Sequence, residues 1–238
     1  MPQNGFHGLF GLATAGALAT RAPAAATQPL AVGIVLGSML PDLDLYPTGI
    51  AFLFKHAELT YVIHRTATHS LFLALLILLL GLAVPRWRWA CIGLSVGVGT
   101  HLALDTFFWF TQVDLFWPFS RMDMGLPIVN LWSEDKLSAL WVNVREAFEF
   151  AAFALLLGSL RGIALRFGNA GASLVKWERV LWGCFAIALA TAFLFREAST
   201  NQHFVVTTPY LLLFLPYCWY QVWRLRSEIE EWAKGRQP

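Results

Sequence analysis

Charge is what this sequence has least of. Only 13% of its 238 residues are Asp, Glu, Lys or Arg, about half the roughly 25% of a soluble domain. A chain of this length can bury a large core in water, but it would still need a charged exterior, and the residues for one are missing. The net charge is +2 with no basic stripe, so nucleic-acid binding lacks its electrostatic footprint. Cysteine is also scarce. Cys91, Cys184 and Cys218 stand inside apolar runs without C-x-x-C spacing, which argues against a disulfide framework or a cysteine zinc site. Buried thiols are expected instead. No basic region precedes the first apolar stretch, so the N-terminus reads as part of the fold and not as a cleaved signal peptide. No H-E-x-x-H string is present, against a standard zincin. One G-x-S-x-G string surrounds Ser95, but it lies within a long apolar run, and a nucleophile elbow needs a strand-to-helix turn. Small residues at a helix–helix contact are the better reading.

Apolar and aromatic residues are plentiful. They make up 57% of the chain, with eleven Trp and nineteen Phe, a composition suited to lipid and its interfaces. The expected fold is all-α, a polytopic membrane helix bundle treated as a single domain over residues 1–238. Apolar stretches approaching the roughly 20 residues of a full span run over about 70–85, 89–110, 146–160, 180–195 and 204–222. Shorter stretches near 6–20 and 29–41 precede them. About six or seven membrane helices are expected, the first two short or incompletely spanning.

Positive charge marks the cytoplasmic side. Arg21, the turn with Arg86 and Arg88, the region 161–179 with Arg161, Arg166, Lys176 and Arg179, and the tail with Arg224, Arg226, Lys234 and Arg236 all fall on one side if each stretch crosses once. That side, with the C-terminus, is then cytoplasmic in an inner membrane. Lys55, Arg65, Arg121, Lys136, Arg145 and Arg196 lie on the outer side.

The residues least suited to lipid collect on that outer side. They are His7, then Asp42 and Asp44 in LPDLD, His64 and His69 in HRTATHS, and His101 and Asp105 in HLALD. His101 and Asp105, at i and i+4, share a helix face. Asp42 and Asp44 share a side if the segment is extended, and Pro41 favours an extended Leu40. His64 and His69 suit a turn into the next helix, with Thr68 or Ser70 available as its cap. Imidazole with carboxylate is a ligand set for zinc foremost, with manganese or iron as alternatives. The set suffices for one ion with supporting carboxylates or for two. Glu146 reads either as an acid opening the helix at 146–160, favoured by the helix dipole, or as a further ligand. Glu149 lies on a nearby face as a supporting or interfacial residue. His56 and Glu58 read as a solvated loop, and His203 as a separate turn. Trp117 and Phe119 of WPFS suit either the bilayer interface or a lid.

The motif series GFHGLFGLA, LPDLD, HRTATHSL, GTHLALDTF and WPFS, over roughly residues 5–146, resembles the bacterial family of membrane-bound metal-dependent hydrolases. That family includes an inner-membrane member described as LexA-binding. The resemblance implies a metal site of His7, Asp42, Asp44, His64, His69, His101 and Asp105, with Glu146 the best match for an acid after the Trp-Pro turn. Thr66 replaces a Gly usual after the HR pair, and Leu45 a His or polar residue often found after PDxD.

The expected function is metal-dependent hydrolysis near the outer membrane face, on a phosphoester or lipid-linked substrate. Asp44 or Asp105 is the candidate base, His64 or His69 the candidate proton donor, and Arg65 a contact for phosphoryl oxygens. The alternative is a non-catalytic metal-binding membrane protein serving transport, sensing or a structural partnership. Transport calls for polar residues along both halves of the spans, and the cytoplasmic halves are almost wholly apolar. Membrane lipid is the expected surrounding partner.

Overall fold

Apolar runs become helices, and the breaks between them fall at Pro41, at Ser70, at Pro85 and at Gly168 and Gly171. A computed structural model describes residues 4–54, 63, 66–109, 113–119, 139–169, 171–194 and 210–235. Among these it is all-helical. Helix α1 (Asn4–Ala19) and α2 (Ala24–Gly37) are followed by a 3-10 turn, Pro41–Asp44, and by α3 (Leu45–Leu53). Helix α4 (Leu71–Ala83) is opened by Ser70, whose hydroxyl accepts the Leu73 N–H at 3.4 Å. It ends at Val84, ahead of Pro85. Helix α5 (Arg88–Leu104) runs on into a π-turn, Asp105–Trp109. Then come α6 (Ala139–Arg166), α7 (Ala172–Leu194), a π-turn at Tyr210–Phe214, α8 (Leu215–Arg224) and α9 (Arg226–Ala233).

Two helices are longer than their apolar cores suggested. Helix α6 was expected over 146–160 and α7 from 180, with a basic loop between them. The connection is residues 167–171, with Gly168 (φ +81°) and Gly171 (φ +53°) making the turn. Charged residues extend both helices because they are paired: Arg161 Nε donates to Glu178 Oε2 at 2.7 Å across the α6–α7 contact.

Helix α2 packs on α5, α1 on α2 and α6, α4 on α5, and α6 on α7. The α2–α5 crossing brings two backbones into contact. Gly33 and Gly37 on α2 meet Gly93 and Gly97 on α5, each four residues apart and so on one face. A Cβ on Gly33 would lie 2.6 Å from the Ala90 carbonyl oxygen, and one on Gly97 would lie 2.6 Å from the Ser38 nitrogen. Lipid provides no hydrophobic drive between helices, so such backbone contact is what holds them. The G-x-S-x-G string is part of this crossing: Gly93 and Gly97 face α2, and Ser95 Oγ donates to the Ala74 carbonyl of α4 at 2.8 Å.

By length and apolar composition, three helices among the described residues can cross a bilayer: Pro85–Phe107, Asn143–Arg166 and Ala172–Leu194. A fourth crossing results if α2 and α3, bent by 46° at the 3-10 turn, form one broken span. The six or seven expected membrane helices include α1 and α4, which have only 16 and 13 residues. The last stretch is described only from residue 210. Lipid-type surface is abundant, with Leu75, Leu76, Leu79 and Leu80 of α4 and Ile187 and Phe193 of α7 all exposed.

The helices also have a common polarity. Gln28 near the start of α2 donates to Glu230 of α9, Asn169 after α6 donates to Glu228, and Trp232 lies against Gly16 late in α1. The turns at 86–88 and 224–226, which carry Arg86, Arg88, Arg224 and Arg226, and the turn at 167–171, flanked by Arg166 and Lys176, therefore share one end of the bundle. The opposite end holds the start of α1, the end of α2, the start of α4 and the end of α5. The C-terminal segment, expected as a charged tail, is the helix α9 that closes the basic end.

Candidate metal centre

Four chain segments deliver side chains to one buried cluster at the end away from the basic turns. His7 comes from the second turn of α1, Asp42 and Asp44 from the 3-10 turn, His69 from the turn before α4, and His101 and Asp105 from the end of α5. His7, Asp42, His69 and His101 are fully buried, and Asp105 and Asp44 nearly so. His101 Nε2 lies 3.2 Å from Asp105 Oδ2 and 3.2 Å from His69 Nε2. His7 Nε2 lies 3.2 Å from Asp105 Oδ1, and the His7 ring stacks on His101 at 3.8 Å between centroids. Asp42 Oδ1 lies 3.4 Å from His69 Nε2 and 3.8 Å from His101 Nε2.

Two imidazoles are oriented from behind. His101 Nδ1 lies 2.8 Å from the Ser38 carbonyl oxygen. We assign its proton there, which leaves the Nε2 lone pair facing the cluster. His69 Nδ1 lies 3.3 Å from Asp44 Oδ2, and Thr68 Oγ1 donates to the same oxygen. That arrangement has the form of a carboxylate–histidine pair behind a metal. Asp44 therefore supports His69 from the far side, while Asp42 faces the centre. The aspartates were expected on one side of an extended segment, but the turn is 3-10 and Leu40 is helical (φ −65°, ψ −44°). At about 120° per residue, Asp42 and Asp44 point apart and reach His69 at its two different nitrogens.

This arrangement could hold a cation. The Nε2 atoms of His69 and His101 face each other with two carboxylates alongside. Both oxygens of Asp105 and Oδ1 of Asp42 face imidazole nitrogens at 3.2–3.8 Å, and among the described residues no better-formed hydrogen bond serves them. Carboxylates buried at this depth with imidazoles alone for partners are costly. Ligand atoms from His7, His101 and Asp105, and again from Asp42, His69 and His101, lie within 4.8 Å of one another. Both triads could hold a metal ion. His69 stands in the turn outside the helices. Burial pulls its pKa down, but the hydrogen bonds and charges of Asp42 and Asp44 win and raise it to about 10.

The sequence pattern of the YdjM inner membrane protein family matches residues 1–225. The chain belongs to that family. No curated protein and no solved structure matches it significantly.

In this YdjM-family chain the remaining candidates fall as follows. His64 and Arg65, like His56, Glu58 and His203, lie outside the described residues. Glu146 does not open its helix. It lies two turns inside α6, where Arg145 Nη2 donates to its Oε1 at 3.0 Å, and it belongs to neither triad. Glu149, one turn on, is the acid that meets a helix start: its Oε1 accepts the Gly5 N–H at 3.4 Å, suited to the positive end of α1. The Trp117–Phe119 turn rests on the start of α4, where Leu71 N–H donates to the Leu115 carbonyl at 2.9 Å. Phe119 stays exposed beside Phe72, a position suited to the bilayer interface. Cys91 and Cys218 are buried and Cys184 half-buried, all as free thiols. Ser38 was missed as the carbonyl behind His101. The four-residue glycine spacing on α2 and α5 was the signal for it, because that spacing brings the two backbones together.

Proposed function

We propose that this chain is a membrane-embedded, metal-dependent hydrolase acting on a phosphoester or lipid-linked substrate near the outer face of a bacterial inner membrane. The observation that carries the reading is the buried convergence of three imidazoles and two inward carboxylates, with His69 and His101 each oriented from behind. The ligands are His7, Asp42, His69, His101 and Asp105. A divalent cation held there supplies positive charge to polarise a phosphoryl or carbonyl oxygen and to acidify water.

The chain's own groups then divide the work. Ser38 and Asp44 hold the His101 and His69 tautomers. Asp105 is the base of choice, since Asp44 is committed to His69 and Thr68. Its two oxygens face different imidazoles, so one can take a proton while the other stays engaged. His64 protonates the leaving group and Arg65 binds phosphoryl oxygens, roles assigned from their place beside Thr66 in the sequence. The outer-face assignment and a cytoplasmic C-terminus rest on the basic turns gathered at the opposite end. A reporter fused after Pro238 tests this: activity of a periplasm-only reporter there would reverse the orientation.

One observation favours a second reading, a metal that only staples helices. The cluster is closed, and closed sites are characteristic of structural metals, whereas catalytic ones keep an open position. Metal content of detergent-purified protein, wild type beside His69→Ala and Asp105→Ala, separates the cases. About one or two equivalents in the wild type, lost in both variants, together with turnover of phosphoester substrates, supports the hydrolase. Metal without turnover, and unfolding on chelation, supports the staple. No metal after repletion, with all three proteins equally stable, rejects both.

A further inference from the structure

Two of the three cluster imidazoles have a partner behind them, Ser38 for His101 and Asp44 for His69. A histidine that ligates a metal almost always donates its other ring N–H to an acceptor. His7 faces Asp105 Oδ1 with its Nε2 at 3.2 Å, but its buried Nδ1 has no hydrogen-bond partner among the described residues. Three more buried polar atoms near the start of α1 share that condition: Asn4 Oδ1, Asn4 Nδ2 and Glu149 Oε2. Asn4 is fully buried, and Glu149 is only 3% exposed. An asparagine at a helix start ordinarily turns its oxygen onto a first-turn N–H. Here Glu149 Oε1 takes the Gly5 N–H at 3.4 Å, and the Asn4 carboxamide is left over.

The four atoms are complementary. Asn4 and His7 stand three residues apart on α1, neighbours on one face with Cβ atoms roughly 5–6 Å apart. A helical side chain leans toward the N-terminus, which lays His7 over Asn4. Glu149 reaches the same turn at Gly5 and lies within range of the Asp42 charge. His7 Nδ1–H is a donor, Asn4 Oδ1 an acceptor, Asn4 Nδ2 a donor and Glu149 Oε2 an acceptor. Two hydrogen bonds, made directly or through a buried water, satisfy all four.

We infer that Asn4 and Glu149 are positioning residues for His7, joined to it by a chain from His7 Nδ1–H to Asn4 Oδ1 and from Asn4 Nδ2–H to Glu149 Oε2. The inference rests on the reading of the cluster as a metal centre. The chain fixes the proton on Nδ1 and so presents the Nε2 lone pair to the ion. All three imidazoles are then held from behind: by a carbonyl, by a carboxylate, and by a carboxamide that a carboxylate backs. Glu149 belongs to neither triad, and the chain gives a role to an acid buried in an apolar helix.

The test uses full-length protein in nanodiscs, loaded with zinc and isotope-labelled at the histidine nitrogens. Zinc affinity is read by competition against a chelating dye. The His7 Nδ1 resonance, assigned by its loss in His7→Ala, is read by solid-state NMR. Asn4→Leu, close in size, should lower affinity about 10–100-fold and move the His7 Nδ1 resonance, with His69 and His101 unmoved. In a His7→Ala background the same substitution should leave affinity unchanged. Asn4→Asp and Glu149→Gln should each weaken binding, since the first sets two carboxylates face to face and the second loses an acceptor. Together they restore every donor and acceptor with the direction of one bond reversed, so the double variant should recover both affinity and resonance. A role confined to packing would show no such rescue. Thr106→Val, which removes another unpartnered buried hydroxyl beside Asp105, should leave the His7 resonance in place. Should Asn4→Leu fail to fold, the paired exchange decides alone. Wild-type affinity in Asn4→Leu, an equal loss in the His7→Ala background, or a double variant no better than its singles would overturn the chain. These effects without phosphoester turnover keep the chain and remove the hydrolase. Turnover with wild-type affinity in Asn4→Leu does the reverse, and no zinc in the wild type removes both.

Discussion

Substituting Gly97 tests whether the α2–α5 crossing sets the metal centre. A Cβ there would lie 2.6 Å from the Ser38 nitrogen, about 0.8 Å inside ordinary contact, and would also strike the Ile34 carbonyl. Both partners are backbone, so no side chain can swing aside. The helices must part or slide by a substantial fraction of an ångström. Ser38 is also the residue whose carbonyl lies 2.8 Å from His101 Nδ1, and metal–ligand distances tolerate only about ±0.2 Å. Gly97→Ala should therefore cost about 1–3 kcal/mol of stability through overpacking and weaken metal binding as well. Gly99→Ala is the matched control, on the same helix with nothing within 4 Å of its Cβ. It should be neutral or gain up to ~1 kcal/mol from helix propensity. Thermal unfolding in detergent, with metal content read on the same samples, compares the two. Equal melting temperatures and equal metal in Gly97→Ala and Gly99→Ala would refute the argument.

Further expectations concern the cluster itself. His101→Ala should abolish metal binding, because His101 belongs to both triads, while His7→Ala should leave the Asp42–His69–His101 triad able to hold an ion; competition against a chelating dye reads the difference. Asp44→Asn should keep the number of bound ions but lower affinity about 10–100-fold, the usual cost of losing the group behind a ligand histidine. Metal affinity should rise with pH up to about 10, because in the metal-free site His69, raised to about 10 by Asp42 and Asp44, holds a proton that competes for its lone pair; an affinity that stays flat from about pH 6 to 10 would count against His69 as a ligand. Ser95→Ala should leave any hydrolytic activity unchanged and cost about 0.5–1.5 kcal/mol at most, since its hydroxyl serves the Ala74 carbonyl.

Much of the centre was readable because its spacings are local. His101 and Asp105 at i and i+4 meet on α5 as helix geometry requires, and Ser70 caps α4 as its place before an apolar run predicts. Lys and Arg mark the turns at 86–88 and 224–226 and flank the one at 167–171, and among the described residues the fold gathers these three turns at one end. What could not be read depended on contacts distant in sequence. The 3-10 form of PDLD follows from α2 continuing past its own end, against the usual effect of Pro41 on Leu40. Glu146 stands where the long apolar run begins, yet α6 starts earlier, at Ala139, and the one charge in that first stretch, Arg145, pairs with Glu146 itself. Helix α9 gave no apolar signal, because only a narrow face with Ile229 and Ala233 is buried.

His101 has a further consequence when its electrons are counted. One ring nitrogen is spent on the Ser38 carbonyl, so the imidazole has a single lone pair to give, yet it is common to both groups of ligand atoms. A lone pair binds one ion at a time. The two triads are therefore rival positions for one ion, unless a carboxylate such as Asp105, with an oxygen toward each, holds a second. With a single ion bound, sharing an imidazole would make occupancy of the two positions anticorrelated, and the cluster would act as a two-position switch whose throw is set by the reach of a single histidine ring.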